Sequence, residues 1–236
     1  EAGVPGPDYH VFHDQQSALD FVRKNNSPVV VKADGLAAGK GVMICHNREE
    51  ASVAVRTCMD DRLFGNAGET IVIEEMLSGP EVSVFAFCDG EQVSTPIAAC
   101  DYKQIGDGDV GPNTGGMGSF TPPNFWTEPL AKEIMDGVMR PTIEVMASQG
   151  NPYQGILYAG IMLTDDGPKV LEFNCRFGDP ETQVILPLLH SDPIAVMLAC
   201  AEGHLSEVPV KWGGQAHVGV VMTSSGYPEA YLTSYE

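Results

Sequence analysis

The sequence has 236 residues, of which 43% are hydrophobic and 19% charged, a composition typical of a globular protein with a substantial core, which excludes a disordered chain. Its 13 basic and 32 acidic residues give a net charge of −19, so we expect neither nucleic acid nor an anionic membrane as a partner. An anionic ligand must then be held locally, by clustered basic side chains, backbone amides or a metal ion.

The six cysteines are scattered without a close pair, which argues against a zinc ribbon or a disulfide scaffold and predicts reduced thiols in the cytoplasm. No apolar run reaches the roughly 18 residues that span a bilayer, and the N-terminus lacks a signal-peptide pattern. Residues 1–7 resemble the inside of a loop, and residues 231–236 end without a finished element. These features predict that the chain is a fragment of a longer protein.

The first predicted elements are a helix over residues 13–25, capped by Asp14, and a buried strand over residues 29–32. That strand ends in Lys32, an unusual residue for a buried strand. A glycine-rich loop follows, and residues 42–45 form the next strand.

The loop over residues 33–41 does not fit a Walker phosphate loop. Only three residues separate Gly35 from Gly39, Lys40 is followed by Gly41 rather than Ser or Thr, and a strand rather than a helix comes next. The segment is therefore predicted to be a flexible loop between two strands.

The middle of the chain predicts a helix over residues 48–62, a strand over 71–75 and a hairpin formed by 81–88 and 92–99. Residues 101–118 are rich in glycine and show no periodicity, so we expect a long loop. Such a loop inside a compact domain is more often functional than idle.

Thr127 is predicted to cap a helix with Pro129 in its first turn. A second hairpin over residues 156–173 turns at Asp165-Asp166-Gly167, and helices are expected over 181–190 and 193–202. The alternation of hairpins and helices predicts an α+β chain built on antiparallel sheets.

Charged and amide side chains are concentrated in the segment from Leu171 to Glu181. Glu172 and Asn174 are two apart on a predicted strand, so both side chains should point to one face. A carboxylate and an amide oxygen suit magnesium, which keeps several waters and also binds substrate phosphates. The alternative is an exposed edge strand with a solvated glutamate. Charged residues crowding the following Gly-Asp-Pro turn favour the metal site.

Three blocks, residues 31–42, 111–118 and 172–181, together resemble the phosphoribosylamine–glycine ligase family of the ATP-grasp superfamily. The resemblance implies two α+β subdomains with antiparallel sheets that enclose a nucleotide cleft: a small lid subdomain over residues 1–73, a large subdomain with metal and acceptor sites over 74–205, and the start of a truncated C-terminal domain over 206–236.

The resemblance implies a reaction in which ATP, glycine and 5-phosphoribosylamine give ADP, phosphate and glycinamide ribonucleotide through a glycyl phosphate, in purine synthesis. ATP and Mg²⁺ or Mn²⁺ are the implied cofactors. Fusion to other purine-pathway domains in the parent polypeptide is compatible with the resemblance.

The site residues that the resemblance implies fall into four groups. The ATP-binding residues are Lys32, Gly35, Gly39, Lys40, Gly41, Glu74, Glu75, Met76, Leu77, Glu81 and Asn113. The acceptor-site residues are Asp101, Thr114, Gly115, Gly116 and Met117. The catalytic residues are Arg176, Asp179 and Lys103, and the metal ligands are Glu172 and Asn174.

The sequence departs from the family pattern in three places. Pro80 replaces an acidic residue, and Gln104 replaces a basic residue that would contact phosphate. An N-terminal domain of roughly one hundred residues is also missing, so the fragment alone is expected to bind nucleotide weakly. Two other interpretations stay open: a different ATP-grasp carboxylate–amine ligase, and, for the fragment, a non-catalytic nucleotide-binding module.

Overall fold

A computed structural model describes residues 3–37, 41–108, 110–231 and 233. The chain divides into two compact units, residues 6–78 and residues 79–236 with 1–5. Each unit contains one antiparallel sheet packed against helices, which confirms the predicted α+β class. The roles assigned to residues 1–73, 74–205 and 206–236 remain predictions.

The smaller unit has a four-stranded sheet of order β1-β4-β2-β3, with all neighbours antiparallel. Its elements in chain order are β1 (Tyr9–Phe12), α1 (Gln15–Lys24), β2 (Val29–Ala33), β3 (Val42–Cys45), α2 (Arg48–Met59), a 3-10 turn (Gly65–Gly68) and β4 (Ile71–Glu75).

Both helices of this unit begin at polar caps. The Asp14 carboxylate accepts a hydrogen bond from the Ser17 backbone N–H at 2.9 Å, and the Asn47 side-chain oxygen accepts one from Glu50 N–H at 2.9 Å. The helices cover one face of the sheet, where Val31 and Val55 are fully buried. The opposite face of this sheet is not covered by either helix.

The larger unit has a six-stranded sheet of order β10-β7-β6-β5-β8-β9. Its elements are β5 (Glu81–Asp89), β6 (Ile97–Gly106), β7 (Val110–Thr121), α3 (Glu128–Ile134), a π turn (Met135–Met139), α4 (Arg140–Ser148), β8 (Gln154–Thr164), β9 (Gly167–Asn174), α5 (Thr182–Ile185), a 3-10 turn (Leu186–Leu188), α6 (Pro193–Glu202), a 3-10 turn (Leu205–Glu207) and β10 (His217–Val220).

Alternate residues of the central strand β5 build two cores on the two faces of this sheet. Val82 and Val84 pack with the α3–α4 segment, whereas Phe85 and Phe87 pack with α5 and α6. The second face is therefore covered by helices only at one end, and its other end carries polar side chains. The candidate site lies at that uncovered end.

The predicted loop over residues 101–118 is wrong: it forms the long hairpin of β6 and β7. Hydrophobic periodicity fails here because the outer half of the hairpin does not face a core. Glycines supply the irregular geometry, with positive φ at Gly108 and Gly111 and register shifts on either side of Gln104.

The helix predicted over residues 181–190 is only partly correct. It contains one α-helical turn, α5, which passes into the 3-10 turn Leu186–Leu188. Pro187 has no N–H to continue α-helical hydrogen bonding, which explains why the helix ends early. By contrast, Thr127 caps α3 and the hairpin β8–β9 forms as predicted.

No helix within residues 3–37, 41–108, 110–231 and 233 is long and apolar enough to cross a membrane. All six cysteines are unpaired thiols, as the sequence predicted.

Candidate functional site

Cross-strand pairing collects polar side chains on the uncovered end of the six-stranded sheet. Ser83 of β5 pairs with Gly160 of β8, and Gly160 pairs with Glu172 of β9, so these positions share one face. We call this surface the polar face; its members are Glu81, Ser83, Asp101, Lys103, Glu172 and Asn174.

A lysine lies among three carboxylates on the polar face. Lys103 Nζ is 2.6 Å from Glu81 Oε1 and 3.9 Å from Asp101 Oδ2. Burial disfavours the charged ammonium, but the charges of Glu81 and Asp101, with a smaller contribution from Glu172, outweigh it and raise the pKa of Lys103. Lys103 is therefore firmly cationic at neutral pH.

Asp101 has the most perturbed carboxyl group of this cluster. Burial raises its pKa to about 6; Lys103 opposes the shift, while the negative charges of Glu181 and Glu81 add to it. Its side chain is 9% exposed. A carboxylate with this pKa can exchange a proton near neutral pH.

Glu172 and Asn174 lie on the same face of β9, as the sequence predicted. The Asn174 Nδ2 amide donates a hydrogen bond to Glu172 Oε1 at 3.0 Å, so the two side chains touch. Among the described residues, no group of three or more His, Cys, Asp or Glu side chains is arranged to hold a metal ion. This pair offers one carboxylate and one amide oxygen, so a cation here needs further oxygens from a ligand or water.

The turn after β9 presents two of the predicted catalytic residues. Arg176 and Asp179 are both exposed. Arg176 Nη1 donates to the Phe177 carbonyl at 2.9 Å, and Asp179 Oδ1 accepts from Gln183 Nε2 at 2.7 Å. These contacts leave the other two guanidinium nitrogens of Arg176 and the second carboxylate oxygen of Asp179 without a hydrogen bond within the described part of the chain.

The predicted acceptor residues follow on β7. Thr114 Oγ1 donates to the Lys103 carbonyl at 2.8 Å and accepts from Gly116 N–H at 3.0 Å, which ties this strand to β6. Gly115 N–H donates to the Tyr227 hydroxyl at 3.1 Å. Asn113 is exposed opposite Gln104, and Met117 is half-buried.

Three residues that support this turn, Ser83, Ser119 and Tyr158, were not predicted from the sequence, and neither was the burial of Glu181. Ser119 Oγ donates to the Pro180 carbonyl at 2.9 Å, which joins β7 to the turn. The register Asp101↔Ser119 places Ser119 beside the polar face. The only sequence signal for the two serines and the tyrosine was a polar residue inside an apolar strand, which could be interpreted only once the strand pairing was known. Glu181 was expected in the turn as one of its charged residues, but not as a buried one.

In the smaller unit, Lys32 lies on the open face of the four-stranded sheet. Its Nζ is 2.6 Å from Glu74 Oε2, and both side chains are mostly buried. Cross-strand partners on that face are largely apolar, including Val11, Val42 and Ile44. An ion pair framed by an apolar surface could bind both a charged and a flat apolar part of one ligand.

The end of β4 contributes three further predicted ATP-binding residues. Glu75 Oε1 accepts from Asp8 N–H at 3.1 Å, and Met76 N–H donates to the Pro28 carbonyl at 3.4 Å. Met76 and Leu77 are half-buried.

The glycine-rich loop is described only in part. A Cβ on Gly35 would lie 2.6 Å from Ala67 Cα, and one on Gly41 would lie 2.7 Å from Ala37 Cβ, so both positions require glycine for packing. Gly39 and Lys40 lie outside the described residues.

The Pro80 carbonyl accepts a hydrogen bond from Leu163 N–H at 2.9 Å, and Gln104 pairs with Asn113 between the two register shifts of the hairpin.

Neither of the two cavities described next is lined by residues of the polar face. One of about 310 Å³ is lined by residues 92–95, 205–206 and 208–210, and one of about 450 Å³ is lined by residues of α1 and α2. We place the site by the clustering of charged groups, because an open sheet face does not enclose a cavity by itself.

Comparisons of the sequence and of the structure with known proteins indicate the same family. The model of the phosphoribosylglycinamide synthetase ATP-grasp (A) domain matches residues 1–182. A Yersinia pestis phosphoribosylamine–glycine ligase is 47% identical over 97% of this chain and 54% of its own length. A Drosophila melanogaster trifunctional purine biosynthetic protein adenosine-3 is 50% identical over 96% of this chain and 17% of its own length.

A solved structure supports the same relationship. The Thermotoga maritima phosphoribosylamine–glycine ligase matches with a TM-score of 0.85 and 35% identity, over 98% of this chain and 58% of that one. This chain thus spans about half the length of the single-activity relatives. The match extends over both sheets, which confirms the predicted ATP-grasp fold. The chain belongs to the phosphoribosylglycinamide synthetase family, whose ATP-grasp (A) domain accounts for residues 1–182.

Proposed function

We propose that the native protein containing this chain joins glycine to 5-phosphoribosylamine at the expense of ATP, giving glycinamide ribonucleotide, ADP and phosphate in de novo purine synthesis. The observation that carries the proposal is the polar face, where Lys103, Asp101 and Glu81 lie on the same sheet surface as Glu172 and Asn174. Membership of the phosphoribosylglycinamide synthetase family supports ATP-dependent ligation as the reaction.

The chemistry requires glycine to be activated, since a carboxylate is a poor electrophile. A glycine carboxylate oxygen attacks the γ-phosphorus of ATP, ADP leaves, and glycyl phosphate forms. The amine of phosphoribosylamine then attacks the carbonyl carbon, and phosphate leaves with that oxygen. Phosphoryl transfer of this kind depends on positioning and charge neutralisation rather than on a protein nucleophile.

Glu172 and Asn174 would hold a divalent cation, Mg²⁺ or Mn²⁺. Their donor set fits a hard cation, because the Glu172 carboxylate and the Asn174 amide oxygen can both bind it once the Asn174 amide turns from its contact with Glu172. When bound, the ion neutralises phosphate charge. The two protein oxygens leave room for ATP phosphates and water.

Lys32, Glu74, Glu75, Met76 and Leu77 would bind ATP from the smaller unit. The Lys32 ammonium supplies positive charge for phosphate, and the neighbouring half-buried Met76 and Leu77 supply an apolar surface for the base. Gly35, Gly39, Lys40 and Gly41 would add loop contacts to the phosphates, and Glu81 would accept hydrogen bonds from the ribose.

Arg176, Asp179 and Lys103 would act on the acceptor side. The exposed Arg176 guanidinium suits the negative charge of the transferred phosphoryl group. Asp101, with a pKa of about 6, is ionised at neutral pH and suits the proton that the attacking amine must lose. Thr114 to Met117, with Asn113, would shape the glycine and phosphoribosylamine sites.

The test is ADP formation by the native protein supplied with ATP, Mg²⁺, glycine and phosphoribosylamine. We expect ADP and glycinamide ribonucleotide in equal amounts, and none when either glycine or phosphoribosylamine is omitted. Dependence on a different carboxylate or amine would assign the protein to another ATP-grasp ligase. Nucleotide binding without any turnover would favour the non-catalytic interpretation.

The relatives include single-activity and trifunctional proteins. The mass of the native protein distinguishes the two organisations. Cytoplasmic location remains a prediction from the unpaired cysteines and the pathway.

A further inference from the structure

A buried carboxylate lies under the turn that carries Arg176 and Asp179. Glu181 is 3% exposed. No Lys, Arg or His within the described ranges forms an ion pair with it, and Ser83 Oγ donates a hydrogen bond to its Oε1 at 3.0 Å. Burying a carboxyl group with so few partners is unfavourable, because few polar contacts replace the water that it loses.

The hydrogen bond to Glu181 continues into the sheet. Ser83 Oγ and the Tyr158 hydroxyl are 2.8 Å apart, and both residues are buried. Because the single proton of Ser83 Oγ is donated to Glu181, Tyr158 must be the donor to Ser83. Burial raises the pKa of Tyr158, which keeps this hydroxyl protonated as the donor. The chain Tyr158–Ser83–Glu181 thus has one direction, from strands β8 and β5 to the turn.

Glu181 in turn packs against the turn backbone. A Cβ on Gly178 would lie 2.4 Å from Glu181 Oε2, so the carboxylate is in direct contact with the Gly178 backbone. The Gly178 carbonyl accepts from Thr182 N–H at 3.1 Å, which closes the segment into the start of α5. Asp179 therefore lies in a turn held between a buried carboxylate and a helix.

The other side of the turn is held by β7. Ser119 Oγ donates to the Pro180 carbonyl, and a Cβ on Gly116 would lie 2.4 Å from Pro180 Cδ. The turn is thus fixed to three strands of the sheet through Glu181 and Pro180. Arg176 and Asp179 are themselves exposed and have few contacts of their own, so their placement depends on this anchoring.

We propose that Glu181 is a positioning residue, which through the Tyr158–Ser83–Glu181 hydrogen-bond chain fixes the 176–180 turn so that Arg176 and Asp179 reach the reacting groups. This inference rests on the proposed ligase function. Glu181 transfers no proton in this proposal. Its side-chain oxygen accepts the hydrogen bond from Ser83 at a fixed position.

The experiment compares four variants of the native protein. Glu181→Ala removes the acceptor; Glu181→Gln retains an oxygen that Ser83 can bond; Ser83→Ala removes the link; and Ser94→Ala is the matched control. Ser94 is a buried serine whose hydroxyl contacts only Phe87 and Thr95 in the described part of the chain. Each variant is assayed for kcat, KM for ATP, and amide hydrogen exchange over residues 176–183 without ligands.

We expect Glu181→Ala to lower kcat by about 30-fold or more while KM for ATP stays within about twofold, since misplacement of about 1 Å can cost 100-fold in rate. Glu181→Gln should keep kcat within about fivefold of the native protein. Exchange over residues 176–183 should accelerate in Glu181→Ala and Ser83→Ala, and should be unchanged in Glu181→Gln and Ser94→Ala.

Two results would overturn the proposal: equal loss of kcat in Glu181→Gln and Glu181→Ala, which would assign the charge itself a role, or unchanged exchange over the turn in Ser83→Ala. If Glu181→Ala does not fold, Ser83→Ala tests the proposal through the same two measurements, kcat and hydrogen exchange over residues 176–183. If the native protein shows no glycine-dependent ADP formation, the proposed function fails, and hydrogen exchange alone still decides whether Glu181 anchors the turn.

Discussion

Asp101→Asn should stabilise the protein, and the gain should grow as the pH rises from about 4 to about 6. Burial raises the folded-state pKa of Asp101 to about 6, against 3.8 for the unperturbed group. Between these values the folded state binds more protons than the unfolded state, so the free energy of unfolding falls as pH rises. The stabilising effect of the protonated carboxyl is complete below about pH 4 and is lost above about pH 6.

The size of this change in unfolding free energy follows from the shift in the pKa of Asp101. A change from 3.8 to about 6 corresponds to about 3 kcal/mol at 1.36 kcal/mol per pKa unit, and the 9% exposure of the side chain means that solvent screens little of it. The asparagine of the variant carries no charge to bury. Lys103 keeps its 2.6 Å contact with Glu81 in the variant, so its own stability contribution changes little.

The assay is chemical denaturation of the native protein and the variant from pH 4 to pH 8, in EDTA and without nucleotide. We expect the difference in unfolding free energy, variant minus native, to increase by about 2 to 3 kcal/mol from pH 4 to pH 8. The same substitution should lower kcat, because the asparagine amide cannot accept the amine proton.

Asp89→Asn is the matched control, and its effect on the free energy of unfolding should have the opposite sign. Burial would raise the pKa of Asp89, but its carboxylate accepts from the backbone N–H groups of Gln92, Glu91 and Leu205, which together lower that pKa. Its stabilising effect is present at neutral pH and is lost as pH falls, so this variant should be destabilised at pH 7 and less so at pH 4. A flat difference for Asp101→Asn, or a difference of the same sign in both variants, would refute the electrostatic assignment.

Three further substitutions test the site and its support. Glu172→Ala should abolish Mg²⁺-dependent turnover, whereas Glu91→Ala, at another exposed glutamate, should not; near-native activity of the first would remove the metal assignment. Lys103→Met should lower turnover by about 100-fold because it leaves the carboxylates without their cation, with the exposed Lys211→Met as control. Gly79→Ala should lower the unfolding free energy by at least about 2 kcal/mol, since Gly79 has φ +147° and a Cβ there would lie 2.0 Å from the Leu163 carbonyl oxygen. Gly137→Ala, where a Cβ meets nothing within 4 Å, should cost far less, and equal denaturation midpoints would contradict the backbone argument.

The sequence predicted those parts of the fold that depend on local pattern. Asp14 and Thr127 were recognised as helix caps because cap residues act within one turn. The pairing of Glu172 with Asn174 followed from strand alternation alone, which is a property of any two residues spaced by two.

What the sequence did not predict depends on strand pairing. The hairpin β6–β7 carries no hydrophobic alternation in its outer half, so the pattern predicted a loop there. Ser83, Tyr158 and Glu181 are far apart in the chain and meet only through the β5–β8 register and the turn after β9. Their joint role could not be derived before that register was known.

The central claim is that glycine is activated as an acyl phosphate and then joined to an amine. The most direct measurement supplies the native protein with glycine labelled with ¹⁸O in its carboxylate, together with ATP, Mg²⁺ and phosphoribosylamine. We expect each released phosphate to carry one ¹⁸O from glycine and glycinamide ribonucleotide to keep the other. Phosphate without label, formed while glycine is consumed, would contradict it.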